Sequence, residues 1–167
     1  GGADRRKAAL PRTPTVPDPI AGPAAGMYVL HLRIARPGPP LQIGRLGTFE
    51  FSPADYLYVG SALNSLWPRV HRHLRGTGKR HWHVDHLRDA ARLLGAWIAV
   101  TAENRECEVA AAIAALPGAT RWPPRFGASD CRCPGHLLRL DAAPDPTELV
   151  DLMGNLGLNP ASFLPGP

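Results

Sequence analysis

The stretch YLYVGSALNSLWPRVHRHLR, residues 56–75, is the part of the sequence that indicates the fold most clearly. Its first residues alternate Tyr56 and Tyr58 with apolar side chains, which is the two-residue period of a β-strand. Asn64 or Ser65 can cap a helix after it, and Pro68 then falls in the first turn, where a missing N–H is harmless. The stretch therefore predicts a strand that runs directly into a basic helix, so that a tyrosine and an arginine can point at one spot.

The other periodic segments predict the rest of a small sheet and its helices. In the basic helix the apolar stripe is predicted at Leu63, Trp67, Val70 and Leu74. Elsewhere the periods predict a strand at 27–34, a hairpin at 41–51 and a second helix at 81–94. After a strand at 96–100, Asn104 can cap a third helix that ends at about Leu116, and a strand at 136–140 and a short helix at 147–158 follow. This order predicts an α/β fold of the α+β type, with a mostly antiparallel sheet flanked by helices.

The chain divides into three parts by composition. Residues 1–25 are rich in proline and alanine and lack hydrophobic periodicity, which is typical of a flexible arm. Residues 26–140 contain the periodic segments and predict the folded domain. Residues 141–167 predict a C-terminal tail with one short helix.

The net charge favours a nucleic-acid partner without deciding for one. The chain has 19 lysines and arginines against 14 acidic residues, and nearly all of the positive charge is arginine, whose fork matches phosphate oxygens. A GC-rich coding bias would give the same excess of arginine, alanine, glycine and proline. Because no apolar run reaches the roughly 20 residues of a membrane span and no signal peptide is evident, we expect a cytoplasmic protein.

An ordered set of short motifs is similar to that of a nuclease family. Gly26-Met27-Tyr28 and Tyr58-Val59-Gly60 stand on two predicted strands, and YVGSA, WHVD, EC and FGASDC follow one another along the chain. The set resembles the GIY-YIG nuclease superfamily, and within it the branch of Uri-type endonucleases. The resemblance extends from Gly26 to about Leu140, some two thirds of the chain.

The resemblance implies metal-assisted hydrolysis of a phosphodiester in a GIY-YIG-like fold. Two tyrosines lie side by side and one helps to activate the attacking water, an arginine steadies the phosphate, and a glutamate holds one divalent ion. These roles pass to Tyr28, Tyr58, Arg69, His73 and one glutamate. A tyrosine, with a pKa of about 10, acts as a base only near positive charge, which an arginine and a metal ion supply. A glutamate oxygen suits Mg²⁺ or Mn²⁺.

Two glutamates compete for the metal-binding role, and helical geometry separates them. At 100° per residue Glu106 lies along the stripe of Val109, Ala110 and Ile113, which should face the sheet. Glu108 lies on the weaker side, among alanines. A carboxylate on a buried stripe needs a partner, and a metal ion is a good one, so Glu106 is the predicted ligand. The alternative role for Glu106 is to complement the helix dipole.

Basic residues outside the catalytic set are the predicted contacts to the nucleic-acid backbone. The resemblance assigns a further family histidine to His81 or His83. Many members of the superfamily have an asparagine after the helix that carries the metal-binding glutamate. This chain has none in the matching region, and Ser129 or Asp130 is the candidate substitute. The predicted contacts, which position the protein without reading sequence, are Arg33, Arg72, Arg75, Arg80 and His83.

The three cysteines are an odd number and do not predict a disulfide framework. Cys131, Cys133 and His136, together with Cys107, would supply four ligands to a zinc ion if Cys107 came close in space. Small buried cysteines are the commoner outcome of such a pattern.

These observations predict a metal-dependent endonuclease that acts on DNA in repair or recombination. A non-catalytic nucleic-acid-binding module of the same fold is the main alternative. A zinc-stabilised interaction domain that recruits a partner is the third hypothesis.

Overall fold

The computed structural model describes residues 24–62, 64–75, 80 and 82–163. The predicted arm lies outside these ranges except for residues 24 and 25, and so do Leu63, His81 and the last four residues of the predicted tail. The described chain forms β1 (Gly26–Ile34), β2 (Leu41–Ile43), β3 (Gly47–Phe49), β4 (Ala54–Ala62), α1 (Leu66–Arg75), α2 (His83–Leu87), β5 (Arg92–Val100), α3 (Glu106–Ala114), β6 (Ala119–Arg121), β7 (Leu137–Leu140), α4 (Pro146–Asn155) and β8 (Ala161–Phe163).

Six of the strands form one sheet in the order β6-β7-β4-β1-β5-β8, and β2 with β3 forms a separate hairpin. Every pairing in both sheets is antiparallel. The predicted fold class, a small α+β domain with an antiparallel sheet and flanking helices, is confirmed.

The central strand β1 is buried on both faces because helices cover both sides of the sheet. Tyr28, Leu30 and Leu32 pack in one cluster with residues of α1 and α2. Met27 and Val29 point the other way, as the alternation of a strand requires, and pack in a second cluster with residues of α3 and α4. Tyr58 of β4 packs in the same cluster as Tyr28, so the two predicted active-site tyrosines share the α1 face of the sheet.

The second predicted helix, 81–94, is wrong over its second half. Only His83–Leu87 is helical, and β5 already begins at Arg92. Arg92 pairs with Arg33 of β1, and Leu93 is buried in the cluster on the α1 face. Pairing with a central strand outweighs the local helical pattern, since tertiary context overrides propensity.

Smaller differences concern which residues face inward and where short strands form. On α1 the buried residues are Leu66, Val70 and His73, whereas Trp67 and Leu74 of the predicted stripe are half-buried. Arg105, not Asn104, precedes α3 as its N-cap. The strands β6 and β8 were not predicted, because three residues are too few to show a period.

The C-terminal helix packs on the sheet. Leu149 and Met153 of α4 are buried in the same cluster as Val109 and Ile113 of α3, and β8 pairs with β5 at the edge of the sheet. Within the described part of the chain, none of the helices combines the length and the apolar composition that crossing a membrane requires.

Candidate active site

A cavity of about 580 Å³ opens where β1 and β4 meet the N-terminus of α3, and we call it the tyrosine pocket. Tyr28, Tyr58, Arg69 and Glu106, four of the five predicted catalytic residues, line it. The fifth, His73, is 2% exposed and is not among its lining residues. The structure thus brings together side chains from two strands and two helices that are as much as 78 positions apart in sequence.

The two tyrosines lie on adjacent strands with their ring centroids 6.4 Å apart. The register places Tyr28 opposite Gly60, and Tyr58 opposite Leu30. A Cβ atom on Gly60 would lie 2.6 Å from both Cζ and the hydroxyl of Tyr28. The ring of Tyr28 can therefore occupy its place only because residue 60 has no side chain.

Replacing Gly60 by alanine should displace Tyr28 and lower the free energy of unfolding by roughly 1–3 kcal/mol, the usual cost of an overpacked core. Urea denaturation of the two proteins measures this. Gly38→Ala is the matched control, because a Cβ at Gly38 meets nothing within 4 Å. Equal unfolding midpoints for the two variants would contradict the packing described for Tyr28.

His73 contacts the hydroxyl of Tyr28 and does not line the cavity. The hydroxyl of Tyr28 is 3.1 Å from Nε2 of His73, and Nδ1 of His73 is 3.6 Å from a carboxylate oxygen of Asp85. Burial lowers the pKa of His73, so its imidazole is neutral at pH 7. With the proton on Nδ1, facing Asp85, Nε2 accepts a hydrogen bond from the Tyr28 hydroxyl. His73 thus acts on the pocket through Tyr28.

Both active-site tyrosines are protonated at neutral pH. Burial raises the pKa of Tyr28 and that of Tyr58 well above the ordinary value of 10.0. The nearby charge of Glu106 raises both pKa values further, whereas the charge of Arg69 lowers both. Additional positive charge near Glu106 would therefore favour proton loss from both hydroxyls.

Arg69 is held at the pocket by two contacts. Its NH1 group donates a hydrogen bond of 2.5 Å to the carbonyl oxygen of Ser61. Its guanidinium carbon also lies 4.5 Å from the ring centroid of Trp82, a cation–π distance. Both neighbours line the pocket, so they fix the arginine where an anionic ligand can meet it.

Glu106 is half-buried at the start of α3, beside the residues of the helix that face the sheet. Val109, Ala110 and Ile113 are buried, as the predicted stripe demands, and Glu108 is exposed and forms an ion pair with Arg105. One carboxylate oxygen of Glu106, Oε1, is buried and has no hydrogen-bond partner among the described residues. A buried carboxylate oxygen without a partner is costly, and a bound cation would remove that cost.

Several pocket residues were not predicted to be there. Trp82, Asn64 and Asn104 line the cavity, although the two asparagines had been considered only as helix caps. Trp82 belongs to the WHVD motif, which could have indicated that it lies at the site. Asp130 lines the pocket, which agrees with one of the two candidate substitutes for the family asparagine.

The structure does not bring Arg33 or His83 to the pocket lining. Arg33 lies five residues along β1 from Tyr28, about 17 Å away, with its side chain on the opposite face and bound to Asp55. Nδ1 of His83 accepts a hydrogen bond of 2.7 Å from the backbone N–H of Gly127. The contacts seen for His83 are internal, and its role toward nucleic acid stays a prediction.

The other predicted nucleic-acid contacts lie on or after α1. Arg72 contacts Asp85 at 3.4 Å and lies over Trp82, 4.9 Å from the ring centroid. Arg80 pairs with Asp89 on the surface, and Arg75 is exposed at the end of α1. These three arginines do not line the pocket, and a role in backbone contacts remains a prediction for each of them.

The predicted zinc ligands come together in space as a Cys3His cluster. Cys107 lies in the first turn of α3, while Cys131, Cys133 and His136 lie on the loop that leads to β7. Their ligand atoms are all within 4.8 Å of one another. In the described part of the chain this is the group of cysteine and histidine residues that could hold a metal such as zinc.

Two buried histidines, His73 and His136, and the half-buried His83 should make the fold sensitive to acid. Burial lowers the pKa of His73, His83 and His136 below the ordinary value of 6.5. Below that value the unfolded chain binds more protons than the folded one, so stability is highest above about pH 6.5 and falls as the pH drops from there toward the lowered pKa values of the folded state. Urea midpoints measured from about pH 7.5 to about pH 5.5 should decline. His71→Gln, at an exposed position, should show the same decline, and a flat profile would contradict the burial of these imidazoles.

A family model described as "Domain of unknown function DUF123" matches residues 27–156. The match covers β1 through α4, and so includes every residue of the tyrosine pocket and of the Cys3His cluster. Comparison with curated proteins gives no match, and comparison with solved structures gives none either.

Proposed function

The chain belongs to the DUF123 family, and from that premise we propose that it is a metal-dependent endonuclease of the GIY-YIG type, which hydrolyses phosphodiester bonds in DNA. The observation that supports this most is the unpartnered, buried Oε1 of Glu106 in a cavity shared with two tyrosines and an arginine. Such a set offers a place for a cation, a contact for a phosphate and hydroxyl groups for proton transfer.

Mg²⁺ or Mn²⁺ is the ion that we propose for the tyrosine pocket. Glu106 would hold it, and Asp130, which lines the same cavity, is the second carboxylate within the pocket. These ions take oxygen ligands, keep several waters and bind through one or two carboxylates, which matches this donor set. When bound, the ion would offset the charge that develops on the phosphate.

The residues of the chain can move the proton of the attacking water without forming a free phenolate. The water oxygen bonds to phosphorus while the bond from phosphorus to the leaving oxygen breaks, and the leaving oxygen takes a proton from solvent. Tyr28 accepts the proton of the water and passes its own to Nε2 of His73, 3.1 Å away. The carboxylate of Asp85 faces the other ring nitrogen and offsets the positive charge that His73 gains. Because the relay keeps Tyr28 neutral, the raised pKa of Tyr28 is no obstacle to it.

Arg69 and Tyr58 would bind and orient the substrate in this scheme. Arg69 is fixed by Ser61 and Trp82, so its guanidinium is preorganised for a phosphate oxygen. The Tyr58 ring packs edge-on against Phe126, with ring centroids 5.8 Å apart, which holds its hydroxyl at the cavity wall. The net charge of +5, with positive charge that is nearly all arginine, is consistent with a nucleic-acid partner. Three unbridged cysteines support a reducing, cytoplasmic location.

The Cys3His cluster supports one other function, a zinc-stabilised domain that recruits a partner or binds nucleic acid without cleaving it. This alternative explains the cluster but gives no role to the unpartnered Glu106 or to the tyrosine relay. We therefore rank it below the nuclease.

A panel of substrates tests the proposed activity. Supercoiled plasmid, single-stranded DNA and RNA are each incubated with the protein and Mg²⁺, Mn²⁺ or a chelator. Cleavage that requires the ion and is lost in Arg69→Ala supports the proposal. Arg92→Ala, at an exposed position where β5 begins, removes the same charge and should cleave like wild type. Salt-sensitive binding to these substrates without cleavage would overturn the enzyme assignment in favour of a binding module.

A further inference from the structure

We propose that Cys107, Cys131, Cys133 and His136 bind one structural zinc ion, which joins the two walls of the tyrosine pocket and holds Glu106 in place. The zinc site itself is inferred from the ligand geometry alone. Only its effect on cleavage rests on the proposed nuclease function.

The ligand atoms have the spacing of a tetrahedral zinc site. Zinc binds sulfur at about 2.3 Å and nitrogen at about 2.0–2.1 Å, so a sulfur and a nitrogen on one tetrahedral ion lie about 3.6 Å apart. Nε2 of His136 is 3.5 Å from Sγ of Cys107 and 3.6 Å from Sγ of Cys131. All four ligand atoms lie within 4.8 Å of one another, so small side-chain adjustments close the coordination sphere.

The donor set selects zinc over the ions proposed for the tyrosine pocket. Three thiolates and an imidazole are soft or intermediate ligands, which favour zinc and disfavour Mg²⁺ and Mn²⁺. Four protein ligands also fill a tetrahedral site and leave no open position, which is the pattern of structural zinc sites. The cluster therefore points to a structural ion, separate from the one at Glu106.

Three of the four ligands lie on one loop, within which the guanidinium of Arg125 donates hydrogen bonds of 2.7 Å to the carbonyl oxygens of Cys133 and Ala128. Residues 122–136 contain no helix or strand. The base of the loop is closed by hydrogen bonds from the backbone N–H of Arg125 to the oxygen of Pro134, and from that of His136 to the oxygen of Phe126, both 2.7 Å. Between them, Cys131 and Cys133 lie on the tip and face Cys107 of α3. An ion bound there would fasten the tip to the first turn of the helix.

The same ion would fix both sides of the tyrosine pocket. Glu106 directly precedes Cys107, so a bond from zinc to Cys107 anchors the turn that carries the carboxylate. From the loop, Gly127, Asp130 and His136 line the cavity opposite. Of the four ligands only His136 lines the pocket, so replacing Cys133 alters zinc binding without touching the cavity wall.

The test begins with the metal content of the full-length protein, expressed with zinc in the medium and purified without chelator. Elemental analysis should find about one zinc per chain, and cobalt in its place should give the intense sulfur-to-cobalt absorption of a thiolate site. Cys133→Ser should lose most of the zinc and weaken this absorption. Arg132→Ala, at the exposed position between the two cysteines, should keep both.

Hydrogen exchange separates a local effect from general unfolding. In Cys133→Ser the amides of residues 106–110 and 125–136 should exchange faster, while those of β1 and β4 stay protected. A wild-type protein that holds no zinc and cannot take up cobalt, or that contains a disulfide between two of these cysteines, would overturn the proposal. None of these measurements involves cleavage, so an inactive but zinc-loaded wild type would refute the nuclease and leave the zinc site standing.

Discussion

Replacing Glu106 by glutamine should lower the rate of phosphodiester cleavage on the order of 10²–10³-fold, the usual effect of losing one electrostatic element of an active site. The amide keeps the size of the side chain and removes its charge, so the divalent ion loses the ligand that we assign to it. Because the substitution also removes the charge of a carboxylate whose buried Oε1 has no partner among the described residues, the unfolding midpoint should stay the same or rise. Single-turnover cleavage and urea denaturation of the same preparation measure the two quantities.

Glu108→Gln is the matched control for this experiment. Glu108 stands two residues further along α3, is exposed, and forms an ion pair with Arg105. An exposed ion pair contributes little, so this variant should match wild type in both cleavage and stability. If the two glutamine variants cleave equally well, Glu106 does not hold the ion and the pocket loses its assigned function.

Tyr28→Phe should lower cleavage by roughly 10²–10⁴-fold, the range for removing a general acid–base group. In the proposed relay the hydroxyl links the attacking water to His73, and phenylalanine keeps the ring packing while it breaks that link. The effect should fall on the chemical step, so single-turnover rates drop while substrate binding changes little.

Tyr56→Phe, on the neighbouring strand β4, provides the comparison. Its hydroxyl donates a hydrogen bond to the carbonyl oxygen of Ser52 and does not line the tyrosine pocket. This variant should lose about 1 kcal/mol of stability and keep its cleavage rate. Equal losses of activity in Tyr28→Phe and Tyr56→Phe would show that the effect comes from packing, and the relay through His73 would be excluded.

The sequence patterns were most reliable for structural elements that depend on residues close together in the chain. The alternation in β1 and β4, the caps before α1 and the proline in its first turn are local, and the strands and helix formed where these patterns placed them. The helix predicted over residues 92–94 was wrong because these residues pair with β1. Arg33 and its neighbours, the residues with which they pair, lie some sixty positions earlier in the chain. The spacing of apolar residues within one segment cannot reveal a pairing with a strand that is distant in the sequence.

In the candidate site, too, features set by the local sequence were predicted, and contacts between distant residues were not. Helical periodicity separated Glu106 from Glu108, because burial on α3 follows directly from the period. The arginine contacts were harder to predict, since Arg33 and Arg80 are bound to Asp55 and Asp89, and a positive charge in a sequence does not reveal its partner. The sequence alone could not show that Cys107 lies close to the loop cysteines, because their proximity depends on the fold. The fold places α3 beside a loop more than twenty residues downstream.

One measurement tests the central claim most directly: single-turnover incubation of an oligonucleotide with excess protein and Mg²⁺ in water labelled with heavy oxygen, followed by mass spectrometry of the products. The account predicts cut fragments with one heavy oxygen atom on the new terminal phosphate, no DNA attached to the protein, and no cutting by Glu106→Gln. DNA that stays intact with wild type in Mg²⁺ and in Mn²⁺, or cutting that persists undiminished in Glu106→Gln, would contradict it.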